Sequence, residues 1–261
     1  MPRITESKYL VMAGWNDVPH LSEKAKREML DSTPVHLRDA RSRGIPVLGS
    51  GRIFPIDESL IHVDPFVIPS HWRVIAGMDI GWDHPTAVVW LALDPDTDTL
   101  YLYDAIRLSE TTPAGIAPLI KQRGDWVPVA WPHDALQHEK GTGFQIAEQY
   151  RDLGINMLQE MAQFEEIGTE GETRVSRVSV EAGLFEMLQR MQSGRWKVFK
   201  TMTDWFQEFR IYHRKDGKVV KLLDDSISAS RYAMMMLRYA STPPDPSRNR
   251  IDPHRRGDWR T

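Results

Sequence analysis

Cysteine is missing from all 261 residues, which excludes disulfides and every thiolate metal site. A metal, if the chain binds one, must sit on oxygen or imidazole. Long apolar runs are missing as well: none approaches the ~18 residues that cross a membrane, and Met1-Pro2-Arg3-Ile4-Thr5-Glu6 has no signal-peptide stretch. The expectation is a soluble, cytosolic protein without a membrane partner. No phosphate loop of the form Gly-x-x-x-x-Gly-Lys-Ser/Thr occurs, so the chain is not expected to hydrolyse ATP by itself. A basic excess is lacking too, since the formal net charge is −3. That balance argues mildly against nucleic acid, but two bound divalent ions would reverse its sign, so bulk charge does not decide the partner.

What is present is a chain with 41% hydrophobic residues, enough to bury one full core and a smaller appendage. Residues 1–70 read as the smaller unit. There Leu10 to Trp15 reads as a strand, Ser22 caps a short helix ending at Asp31, Thr33-Pro34 opens another that Gly44 stops, and Val47 to Pro55 is a glycine-loosened strand. Residues 71–240 read as the main domain. Apolar runs at 72–79, 86–93 and 100–108 have short connections, with a hairpin turn at Asp94-Pro95-Asp96-Thr97-Asp98-Thr99, which predicts three antiparallel strands. A helix over 113–123, a strand over 127–131, a helix over 143–153 and a fifth strand over 155–158 follow. Downstream the spacing predicts helices over 176–192, 203–212 and 225–239, a short strand over 196–199, and a hairpin turning at Asp216-Gly217. Residues 241–261, rich in proline and arginine, are expected to be a disordered basic tail.

Carboxylates stand where the apolar runs end. Asp79 closes the first, Asp134 follows Val127 to His133, and Asp224-Asp225 follows Lys221-Leu222-Leu223. If the sheet brings them together, they form a cluster of like charges that only cations make tolerable. Three antiparallel strands, then parallel strands, flanked by helices and carrying carboxylates at these points, are the layout of an α/β ribonuclease H-like mixed sheet. Neighbouring strands lie about 4.8 Å apart, so Asp79 and Asp134 on adjacent strand ends can bracket one ion. Two Mg²⁺ or Mn²⁺ ions about 3.5–4 Å apart would clamp the attacking and leaving oxygens of a phosphodiester displacement. Each carboxylate also has a plain reading: Asp79 as a turn residue, Asp83 shaping a loop with Pro85, Asp134 as a cap, Asp224 and Asp225 as an N-cap pair. Their coincidence is what favours a site. His133 and His138 are ligands or proton carriers on the functional reading and surface histidines on the plain one. His213, Arg214, Lys215 and Lys218 form a basic tip, and Arg195, Lys197 and Lys200 a second; each reads either as a phosphate contact or as a solvated surface, and Lys221 either as a further phosphate contact or as a partner of the Asp224/Asp225 carboxylates. The aromatic stripe from Trp205 to Tyr212 reads as core.

The chain resembles the large subunit of tailed-phage terminases over the C-terminal nuclease part. The residues that carry the resemblance are Met78-Asp79-Ile80-Gly81-Trp82-Asp83-His84-Pro85-Thr86-Ala87, Trp131-Pro132-His133-Asp134, Glu208-Phe209-Arg210-Ile211-Tyr212, and Lys221-Leu222-Leu223-Asp224-Asp225 running into Ser230-Arg231-Tyr232-Ala233. Residues 10–55 look like the end of the same family's ATPase and linker region. The resemblance implies an endonuclease cutting concatemeric double-stranded viral DNA with two divalent ions. It makes Asp79, Asp134 and the Asp224/Asp225 pair the metal carboxylates. It also implies the small terminase subunit and the capsid portal as partners, in the cytoplasm of a bacterial host and transiently at the portal. Many relatives carry Asp-Ala before the Arg-Tyr step where this chain has Ser228-Ala229, so the third ligand is expected from Asp224 or Asp225. With no phosphate loop, the chain is expected to be an excised piece or a truncated gene product.

Two other readings compete. An actin-like or sugar-kinase-like ATPase also opens with a strand ending Asp-x-Gly, but such proteins follow the Asp with small hydroxyl residues, whereas Trp82-Asp83-His84-Pro85 is bulky and stiff. A non-catalytic DNA- or capsid-docking module would gain nothing from buried like charges.

Overall fold

Strands at the centre of this molecule are apolar on both faces because helices cover both. The computed structural model describes residues 3–5, 8–9, 14–18, 20–31, 33, 42–43, 51–81, 84–132, 142–167, 173–176, 180–215 and 218–244. Strands β1 (Arg3–Thr5) and β2 (Lys8–Tyr9) pair with each other, and helix α1 (Glu23–Asp31) begins where the Ser22 hydroxyl accepts from the Ala25 amide at 3.2 Å. The body is a six-stranded mixed sheet. Its strands are β3 (His62–Val63), β4 (Arg73–Asp79), β5 (Thr86–Asp94), β6 (Thr99–Leu108), β7 (Val129–Ala130) and β10 (Trp196–Phe199), in the order β3-β10-β6-β5-β4-β7. The β4-β5 and β5-β6 pairs are antiparallel; β4-β7, β6-β10 and β10-β3 are parallel. All nine residues of β5 are buried, as expected of a strand with neighbours on both sides and cover on both faces.

Helices α2 (Pro113–Lys121) and α3 (Thr142–Asp152) pack on one face, where Trp72, Met78, Trp90 and Trp131 meet Ile116, Ile120 and Tyr150. Helices α4 (Val180–Gln192), α5 (Thr203–Ile211) and α6 (Asp225–Met235) cover the other. Every residue of α6 is buried. A glycine permits this close approach: a Cβ on Gly77 of β4 would stand 2.0 Å from the Ala229 carbonyl oxygen of α6. The aromatic stripe of α5 is core, with Trp205, Phe206, Phe209 and Tyr212 all at or below 2% exposure.

Several expectations need correction. Residues 155–158 make one bridge, Val129 with Met157, and no strand; their partner β7 is held to two residues by Pro128 and Pro132, which have no amide hydrogen for a ladder. A hairpin of β8 (Phe164–Ile167) and β9 (Thr173–Ser176) occurs where no strand is expected. Trp15–Asp17 is a 3-10 turn and not the end of a strand, tied by the Gly14 amide donating to Asp17 Oδ2 at 2.8 Å. The body also begins ahead of residue 70. Ile53, Phe54, Ile56 and Ile61 sit in the main core, β3 forms the sheet edge, and Arg210 of α5 donates to both Glu58 oxygens at 2.9 and 2.8 Å. Of the helix expected after Thr33-Pro34, only Ser42 and Arg43 are described, and they are helical; its residues 34–41, the strand residues 10–13 and 47–50, the Asp216-Gly217 turn, and residues 245–261 lie outside the described residues.

Candidate metal centre

Asp79 ends β4 at the rim of the sheet, and the tight β4-α6 contact at Gly77 brings the start of α6 beside it. A cavity of about 290 Å³ opens there, lined by Asp79, Asp224, Asp225, Tyr212, Lys221 and Arg231 among others. The loop after Asp79 is shaped by Thr86, whose hydroxyl donates to the Gly81 carbonyl at 2.8 Å and accepts from the Gly81 amide at 3.2 Å.

Asp224 stands at the N-cap position of α6 but makes no capping hydrogen bond. Glu208 of α5 performs that task from outside the helix. Its Oε2 accepts from the Ser226 and Ile227 amides at 2.8 and 3.0 Å, and its Oε1 accepts from the Ser226 hydroxyl at 2.9 Å. With the helix start satisfied by Glu208, the side-chain hydrogen bonds of Asp224 to described residues are long, at 3.5 Å to the Tyr212 hydroxyl and 3.4 Å to the Ser228 hydroxyl. Asp225 is turned onto Arg107 of β6, whose Nη2 and Nε donate to its Oδ2 at 2.9 and 3.2 Å. The same Arg107 Nε lies 3.4 Å from Glu208 Oε1.

The electrostatics are those of a site short of positive charge. Burial pushes the Asp79 carboxyl up to about 8, and the Asp224 and Asp225 charges push it the same way. Burial and then Asp225 hold Asp224 above the ordinary carboxylate range, against Lys221 and Arg231. Burial raises Glu208 to about 7 even though its Ile227 and Ser226 hydrogen bonds favour the charged form. A divalent cation among Asp79, Asp224 and Asp225 would reverse these penalties, and an oxygen-only donor set suits Mg²⁺ or Mn²⁺. Among the described residues no three such side chains already converge as a closed ligand set, in keeping with Asp225 being drawn to Arg107.

Of the site residues expected from sequence, the structure brings Asp79, Asp224 and Asp225 together. Asp134, His133, His138 and Asp83 lie outside the described residues; β7 runs parallel to β4, with Ala130 opposite Gly77. Lys221 lines the cavity, and Lys215 and Lys218 are exposed on the hairpin of β11 (Arg214–Lys215) and β12 (Lys218–Val219). Arg214 is instead bound to Glu181 of α4. The second basic group is committed internally: Arg195 to Asp98 at 2.7 Å, Lys197 to the Leu60 carbonyl at 2.8 Å, Lys200 to Asp64 at 2.9 Å. Sequence reading did not assign Arg107, Glu208 or Arg231 to the site. Arg107 has no sequence signal, since its partner is 118 positions away. Glu208 and Arg231 stand in segments that carry the family resemblance, but nothing in the sequence separates them from their neighbours.

A mixed sheet with this strand order and an acidic cleft at its rim places the chain among ribonuclease H-like proteins. The family of the Terminase RNaseH-like domain matches residues 76–237, and the chain belongs to it. It is 44% identical over 225 residues to the terminase large subunit of Salmonella phage P22, covering 86% of this chain and 43% of that protein. The large subunit of Enterobacteria phage LP7 is 44% identical over 221 residues, covering 84% and 45%. The chain thus spans less than half the length of these relatives. The solved nuclease domain of the P22 large terminase superposes with a TM-score of 0.67 at 44% identity, covering 74% of this chain and 96% of that one. The large terminase of the thermophilic bacteriophage D6E, at 15% identity and a TM-score of 0.55, covers 86% of this chain and 55% of that one and shares the fold.

Proposed function

We propose that the chain is a divalent-metal-dependent endodeoxyribonuclease that cuts concatemeric double-stranded viral DNA during genome packaging. The observation that carries this reading is that Asp79, Asp224 and Asp225 line one cleft, with the Asp79 carboxyl destabilised as an anion. Asp79, Asp134, Asp224 and Asp225 would hold two Mg²⁺ or Mn²⁺ ions, with Arg107 releasing Asp225 as they enter. Such ions supply Lewis-acid stabilisation of a phosphoryl oxygen and lower the pKa of a bound water. The chain's own residues do the rest. Glu208 fixes the first turn of α6, so that Asp224 and Asp225 keep their place relative to Asp79. Lys215, Lys218 and Lys221 attract the DNA backbone to the cleft mouth. Hydrolysis then joins a water oxygen to phosphorus and breaks one P–O ester bond, the departing oxygen taking up a proton. These residues contain no phosphate loop, so the ATP-driven step of packaging belongs elsewhere. The small terminase subunit and the portal protein are the partners this reading assigns, with the host cytoplasm and the capsid portal as its places of action.

Cleavage of supercoiled plasmid with Mg²⁺, Mn²⁺ or EDTA, by wild type, Asp79→Asn and Asp225→Asn, tests the reading. Nicking and linearisation that need metal and vanish in both variants are expected. Failure of the folded wild type to cut with either metal would sink it.

A further inference from the structure

Arg231 lies in the second turn of α6, 4% exposed, and faces the same cleft as Asp79 and Asp224. Its Nε finds no hydrogen-bond partner among the described residues. Its Nη1 reaches only the Met235 sulfur at 3.8 Å, a weak acceptor. The guanidinium is stacked 4.5 Å over the Tyr232 ring, and its stem runs through a slot left by Gly183 of α4, where a Cβ would stand 2.7 and 2.8 Å from Arg231 Cδ and Cγ. Asp225 of the cleft takes its close hydrogen bonds from Arg107 and not from Arg231.

A buried guanidinium with unused donors is costly unless something accepts from it. Among the described residues Lys221 and Arg231 line the cleft and Arg107 reaches its Asp225 from β6, and the three differ in this respect. Arg107 is occupied by Asp225 and Glu208, and Lys221 sits exposed at the rim. Arg231 alone of these is buried with a donor left over, and it is held in one pose by Tyr232 and the Gly183 slot. Arginine is the side chain that best matches the spread oxygens of a phosphate, with planar donors that stay charged at any working pH.

We propose that Arg231 is an anion hook that donates to a non-bridging oxygen of the DNA phosphodiester seated over Asp79 and Asp224. This rests on the nuclease reading above and adds a catalytic residue to it. Charge builds on the non-bridging oxygens as water adds to phosphorus, so a fixed donor there acts more strongly on the transition state than on bound DNA. Arg231→Lys and Arg231→Gln should therefore lower the single-turnover rate far more than they weaken duplex binding.

The test has two arms on the full chain. In the first, plasmid cleavage with Mn²⁺, duplex affinity and melting temperature are measured for wild type, Arg231→Lys and Arg231→Gln. A rate loss of about 10²–10³, the range for removal of one transition-state donor, with duplex affinity and melting temperature nearly unchanged, is the expected result. In the second, the Arg231 Nε–H resonance of metal-free wild type is followed by NMR while inorganic phosphate or a short duplex is added. A shift with the duplex supports the hook; a shift with phosphate alone, or with neither, overturns it. Variants that fold and cut within about threefold of wild type, well short of a donor's usual effect, also overturn it. If both variants fail to fold, the second arm decides. If wild type never cuts while its Arg231 resonance responds to duplex, the nuclease reading falls and the anion hook stands.

Discussion

Asp79 is the residue on which the cleft's electrostatics converge, and its carboxyl connects stability to pH. In the folded metal-free chain it titrates near 8, against 3.8 as its ordinary value. The folded form therefore holds a proton that the unfolded form has already lost, so stability falls as pH rises from about 4 through about 8. Asparagine does not titrate. Asp79→Asn should raise the metal-free melting temperature at pH 8.5 by a few degrees, on the order of 1 kcal/mol after allowance for partial exposure, and leave it nearly unchanged at pH 4. Melts in EDTA at the two pH values measure this, and equal shifts at both would contradict the charge argument. Excess Mn²⁺ should reverse the order at pH 8.5 by stabilising the wild type alone. Arg107 offers a second check. Arg107→Ala removes the side chain that holds Asp225, so metal-free protein should lose stability, about 1–3 kcal/mol for a part-buried charged pair. Calorimetric titration should show Mn²⁺ affinity rising, because Asp225 no longer has to leave a competing cation.

At the scale of elements, the start of α6 depends on a residue of α5. Glu208→Ala would leave the Ser226 and Ile227 amides buried without an acceptor and lower stability by about 1–2 kcal/mol, the usual range for removal of a cap. Thermal or urea unfolding reads it directly. Gly77→Ala should be worse, because its Cβ would lie 2.0 Å from the Ala229 carbonyl oxygen and α6 would have to lift off β4; soluble expression and the melting temperature check it. Some of this architecture is legible in the sequence. The three antiparallel strands are visible because apolar runs broken by Asp-Pro and Gly-Trp turns leave little choice of pairing, and Asp79, Asp224 and Asp225 are visible because carboxylates at the ends of such runs are conspicuous. The roles of Glu208, Arg107 and Arg231 are not. Glu208 sits inside an aromatic helical stripe, where a carboxylate looks like a solvent-facing interruption, and only the crossing of α5 over α6 makes it a cap. The strand expected over 155–158 does not form because its apolar pattern is sound but its partner β7 lies between two prolines.

At the scale of the molecule, the attraction for DNA rests on a small surface. Of the two basic groups, Arg195, Lys197 and Lys200 have partners within the chain, whereas Lys215 and Lys218 are exposed on the β11-β12 hairpin and Lys221 lines the cleft. Neutralising the last three should reduce the slope of log affinity against log salt by roughly 0.9 for each phosphate that is no longer neutralised. Fluorescence anisotropy with a labelled duplex at several salt concentrations provides the slope, and an unchanged slope would move the DNA path to another face. Glutamine at Arg195, Lys197 and Lys200 should leave the slope alone.

The bidentate Arg210–Glu58 pair joins the segment that leads into the sheet to α5, two residues from Glu208. Glu208 in turn grips the first turn of α6. A tensile load applied to the chain ahead of Gly51 would first meet the Gly51–Arg214 and Ile53–Tyr212 backbone hydrogen bonds just past the end of α5, then the Glu58 clasp, and be passed by α5 to the residues that present Asp224 and Asp225. The acidic cleft is mechanically in series with whatever pulls on that segment, so its geometry answers to force as well as to chemistry.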